Sequence, residues 1–119
     1  MAEIEIKESD LIIRIEGLRK VFALKSELTI PLNKILGVTA DENGWENVAK
    51  FPALKVGGTG APFFPYQGGR FLEDGDKIFY DLKKGEEAIV LILEDDEYGK
   101  VVIGVQDAES AVSQIERAL

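Results

Sequence analysis

Three observations predict a mainly β domain of short antiparallel strands, bent into a small barrel or strongly curved sheet and closed by one helix. Apolar residues alternate strictly in segment after segment, the last thirteen residues carry an apolar stripe at helical spacing, and glycine-containing polar turns separate the strands. At 119 residues the chain fits a single domain spanning 1–119, long enough to bury a core without metal or disulfide staples.

The elements follow in order. "AEIEIK" places Ile4 and Ile6 on one face, and "DLIIRIE" does the same with Leu11, Ile13 and Ile15, so both read as half-buried strands. Glu8-Ser9-Asp10 between them forms a tight hairpin. "GLRKVFALK" breaks the rhythm, with Leu18, Val21 and Phe22 at helical spacing, and fits a short helix or turn as well as a strand. Alternation resumes at Leu28, Ile30 and Leu32, where Pro31 points to an edge strand or a strand end because it lacks an amide to donate. "KILGVTA" continues as strand, and "WENVAKF" suits one or two helical turns before Pro52. Later, "KIFYDL", "AIVLIL" and "KVVIGV" read as three strands of an antiparallel meander. In "DAESAVSQIERAL", Asp107 is placed to cap a helix whose stripe is Ala111, Val112, Ile115, Ala118 and Leu119.

Composition narrows the function. With no cysteine and no histidine, the chain cannot build disulfides, Cys/His zinc sites, thiol nucleophiles or a Ser-His-Asp triad, and the commonest general base is missing. A non-enzymatic role is expected, with no cofactor and no metal. The net charge of −8 repels nucleic-acid phosphates and anionic headgroups. No apolar run approaches the roughly 18 residues of a membrane span, and the start "MAEIEIKESD" lacks the pattern of a signal peptide. A cytoplasmic location is therefore the expectation.

The stretch "KVGGTGAPFFPYQGGR", residues 55–70, stands apart. It lies in the segment from Asn47 to Leu72, which contains no acid but holds Lys50, Lys55 and Arg70. Six of the ten aromatic residues fall between 45 and 71: Trp45, Phe51, Phe63, Phe64, Tyr66 and Phe71. Gly60 is followed by Ala61 and Pro62 where a Walker loop needs Lys and Ser or Thr, and Phe63 stands where a dinucleotide fingerprint needs its third glycine. Backbone amides of Gly57, Gly58, Thr59 and Gly60 could still form an anion nest. Read as a long glycine-rich loop, the stretch is either a lid with its aromatics tucked beneath or a contact surface built from Lys55, Gly57, Gly58, Thr59, Gly60, Phe63, Phe64, Tyr66 and Arg70. The acidic turn Glu94 to Glu97 is contiguous rather than spaced for calcium, and flanks "AIVLIL" as a charged gatekeeper.

Taken together, "LTIPLNKILGV", "GGTGAP", "FYDLKKGEEAIVLIL", "VVIGVQDAE" and the closing helix resemble the small bacterial pleckstrin-homology-like domains, over Leu11 to Leu119. The resemblance implies a bent antiparallel barrel of about seven strands closed by a C-terminal amphipathic helix, in a family of mostly uncharacterised function. Relatives that bind phosphoinositides carry a basic triplet around the first hairpin. Lys7 and Arg14 match its first two places, but Glu16 occupies the third, so canonical phosphoinositide binding is not expected. The leading expectation is a binding or assembly module for a protein partner or a second copy of itself, pairing through an exposed strand edge. The alternative is a barrel binding an anionic or aromatic small molecule under residues 55–71.

Overall fold

The computed structural model describes residues 1–17, 27–46, 54–61, 64–73, 75–94 and 96–119, with the backbone path alone at 54–61, 64, 65 and 73. Among them are nine strands in two sheets: β1 (Glu3–Lys7), β2 (Asp10–Arg14) and β3 (Glu27–Pro31) form one, and β4 (Ile35–Asp41), β5 (Leu54–Ala61), β6 (Phe64–Glu73), β7 (Asp76–Lys83), β8 (Glu87–Leu93) and β9 (Lys100–Val105) form the other. A single 3-10 turn, Leu32–Lys34, carries the chain from the first sheet into the second, and helix α1 (Ala108–Glu116) ends it. The expected ring of about seven strands is corrected: the sheets face each other without closing into a barrel.

The small sheet is built as the alternation predicts. Ile4 lies opposite Ile13, Ile6 opposite Leu11, Leu11 opposite Ile30 and Ile13 opposite Leu28, so the apolar sets of three strands share one face. That face is the core side, with Leu11 and Ile13 fully buried. The two-residue turn Glu8-Ser9 joins β1 to β2, with Glu8 at a φ of 57°. β3, ending at Pro31, is an edge of its sheet among the described residues, as the proline requires. On the opposite face Arg14 donates to Glu5 at 2.8 Å and pairs with Glu27 at 3.4 Å, bridging all three strands in solvent.

The large sheet runs β4-β8-β9-β7-β6-β5. The expected meander of its last three strands is corrected, because β9 inserts between β7 and β8, antiparallel to β8 and parallel to β7. The physical reason is burial. Val101 to Val105 are all buried, so both faces of β9 are apolar and the strand belongs at a sheet centre.

Each face of this sheet has its own core. Phe79, Ile89, Leu91, Val101 and Ile103 meet the small sheet and α1 on one side. Phe71, Ile78, Tyr80, Leu82, Ala88 and Val102 form a second cluster on the other, with Trp45 and Val90 at its margin. Residues 44–46 take a helical turn that presses on this outer cluster. Gly44 sits so close to Ala88 and Leu82 that a Cβ there would collide with the Ala88 methyl. Other parts of two sequence expectations, residues 18–26 and 47–53, lie outside the described residues.

Helix α1 packs on β4, β8 and β9. Asp107 caps it, accepting from the Ser110 amide at 3.1 Å, and Glu87 accepts from the Ala108 amide at 2.9 Å, so two otherwise orphaned amides are satisfied. The buried stripe is Ala108, Ala111 and Ile115, with Val112 half-buried; Leu119, at the end of the expected stripe, lies beyond the helix and is 55% exposed. Among the described residues no helix is long and apolar enough to cross a membrane.

Candidate functional site

The glycine-rich stretch is not an irregular loop. It forms the antiparallel pair β5–β6 at one end of the large sheet, with Lys55 opposite Phe71, Gly57 opposite Arg70, Gly58 opposite Gly69, Thr59 opposite Gly68 and Ala61 opposite Phe64. Glycine disfavours strands, but β7 supplies a long, well-packed template for β6, and that tertiary context overrides local propensity. In the regular run Gly57 to Thr59 successive backbone amides alternate in direction. Register shifts between Lys55 and Gly57 and between Thr59 and Ala61 mark two bulges in β5, which flank the regular run Gly57 to Thr59.

Beside the backbone ladder to β7, a polar contact inside the protein holds this hairpin to the sheet. The Tyr66 hydroxyl donates to Asp81 Oδ1 at 2.6 Å, and the two residues are 4% and 0% exposed. Gly68, opposite Asp81 in the ladder, leaves the space that the tyrosine ring fills; a Cβ on Gly68 would lie within the ring and hydroxyl of Tyr66. On the other face, Phe71 meets Tyr80 edge-on, centroids 5.2 Å apart at 87°. Tyr66 and Phe71 are thus anchors, which agrees with the expectation that the stretch tucks aromatics inward.

Arg70 is exposed and lies near Tyr98, whose hydroxyl is pushed up to about 12. Burial against Phe79 is the main cause, the Glu97 carboxylate adds to it, and Arg70 opposes it. Of the other expected site residues, Lys55, Gly57, Gly58, Thr59, Gly60 and Phe64 have their backbone positions in β5 and β6, and Phe63 lies outside the described residues. Gln67, between the two anchors, has its amide nitrogen buried without a hydrogen-bond partner among the described residues.

Elsewhere, Lys7 and Arg14 do not converge. Lys7 pairs with Asp10 at the turn end of the first hairpin, while Arg14 pairs with Glu3 at the other end and is held by carboxylates. The groove beside the start of α1 is lined by Glu42, Glu87, Asp107 and Glu109, two of which are committed to capping the helix. Among the described residues no three acidic side chains gather as a metal site.

Asp81 was missed as a site residue, although the sequence holds a signal. In "KIFYDL" it shares the inward face of β7 with Phe79, where an acid must find a buried donor. Compared with models of known protein families, with curated proteins and with solved structures, the chain matches none.

Proposed function

We propose that this protein is a non-enzymatic binding or assembly module of the pleckstrin-homology-like kind, whose contact surface is the β5–β6 hairpin. The observation that carries the reading is the hairpin's construction. β6 is locked to the sheet by Tyr66 on Asp81 and by Phe71 on Tyr80, while β5 lies outermost, in the acid-free segment of a chain with net charge −8. A strand at a sheet end, in a segment that contains lysine and no acid, suits an acidic or uncharged protein surface rather than a reaction. The C-terminal helix packed on β4, β8 and β9 supports the family resemblance.

Paired baits test it. Wild-type protein and a Lys55→Glu, Arg70→Glu double variant are used to isolate partners from cell extract. A partner retained by the first and lost by the second supports the hairpin as the contact; a partner held equally by both rejects it.

A second reading has its own support. The Gln67 amide nitrogen, without a hydrogen-bond partner among the described residues, lies on the same face of β6 as Phe71 and would suit a ligand with an acceptor group. A thermal-shift screen against aromatic and anionic metabolites decides: reproducible stabilisation by one compound class, lost in Gln67→Ala, favours a small-molecule site.

A further inference from the structure

We propose that the outer edge of β5 pairs antiparallel with the same edge of a second copy, joining two six-stranded sheets across a twofold axis. The inference rests on the hairpin being the contact surface and names its partner.

The strand order leaves β5 with β6 as its only neighbour among the described residues. An edge strand offers a row of unused amides and carbonyls, and proteins usually block such rows with charge, proline or cover. Both edges of the small sheet are blocked in this way: β1 carries Glu3, Glu5 and Lys7, all exposed, and β3 carries Glu27 and ends at Pro31. β5, "LKVGGTGA", carries one lysine and no acid, and its glycines let another backbone approach closely.

Electrostatics selects the same edge. Two molecules of charge −8 repel on most approaches, whereas β5 and the stretch of β6 paired with it up to Leu72 contain no acid. The ladder centres on the regular run Gly57 to Thr59, between the two bulges. A twofold register centred on Gly58 places Lys55 of one copy opposite Ala61 of the other, which is uncharged. The interface is isologous, so it closes as a dimer and does not propagate into a fibre. Because the regular run is short, the pairing is reversible, and screening of the net charge by salt strengthens it.

Sedimentation of the full-length chain over a concentration series, at low and at high salt, measures it. The expected result is a mass rising toward twice the monomer with concentration, more so at high salt. Thr59 lies next to the axis, so Thr59→Glu and Thr59→Lys should each weaken association at least about tenfold at low salt, since each faces its own copy. Mixing the two variants should restore a heterodimer. An anionic foreign partner would instead distinguish the two signs.

A chain monomeric at every concentration and salt overturns the proposal, as does a dimer indifferent to both substitutions. For the wild type, hydrogen exchange at residues 54–61 must slow as concentration rises; exchange there that ignores concentration also overturns it. A monomer that still retains a partner dependent on Lys55 and Arg70 would refute self-pairing and leave the hairpin's role as a contact surface intact.

Discussion

Tyr66 reaches across Gly68 to donate a 2.6 Å hydrogen bond to Asp81, a contact that helps tie the glycine-rich β6 to β7 from inside the protein. Tyr66→Phe removes this donor from Asp81, which is 0% exposed, so a loss of about 1.5 to 3 kcal/mol is expected in chemical denaturation. Gly68→Ala forces the ring off its seat and should cost about 1 to 3 kcal/mol. The two effects should be markedly non-additive, since once the ring is displaced there is less hydrogen bond to lose. A double variant equal to the sum of the singles would show that the glycine and the pair act independently.

Charge and packing at the hairpin should separate. Arg70→Glu is expected to shift stability by no more than about 0.5 kcal/mol, the range for exposed surface changes. Phe71→Ala, at a ring 2% exposed, should cost about 3 to 5 kcal/mol. Thermal and urea denaturation of the two variants check both figures.

Tyr98 makes stability fall at alkaline pH. Its hydroxyl ionises near 10 in the unfolded chain and at about 12 in the folded one, so the folded state holds the proton more tightly. The contribution is complete below pH 10 and is lost as pH rises toward 12, by at most roughly 2 to 3 kcal/mol. Tyr98→Phe should flatten the decline in that window. Urea midpoints measured from pH 9 to 12 would show it, and parallel curves for the two proteins would disprove it.

Glu8 occupies the left-handed region at a φ of 57°, which costs a side-chain-bearing residue about 1 kcal/mol that glycine avoids. Glu8→Gly is therefore expected to stabilise the first hairpin by roughly 0.5 to 1 kcal/mol, read as a raised Tm.

Asp107→Ala removes the cap on α1 and should cost about 1 kcal/mol, with hydrogen exchange accelerating first at the amides of residues 108–111. Unchanged exchange there would mean that Glu87 alone holds the helix start.

Much of this fold is written locally in the chain. The period-two patterns at residues 3–7, 10–14 and 27–31 decide which side chains face the core, because consecutive side chains on a strand must point to opposite faces. The helical stripe and its capping aspartate before residue 108 are equally local, as is the proline that marks an edge. What the sequence could not decide is which strands become neighbours. "KIFYDL", "AIVLIL" and "KVVIGV" are each apolar enough to pair on either side, and β9 took the centre because burying both its faces removes the most apolar surface from water. The same holds for residues 55–70, where glycines argue against a strand until β7 offers a partner, and for Asp81, whose place depends on a tyrosine fifteen residues earlier in the chain. Periodicity is a property of neighbouring residues, but pairing, closure and the satisfaction of a buried charge depend on groups far apart in sequence, and these only the folded structure brings together.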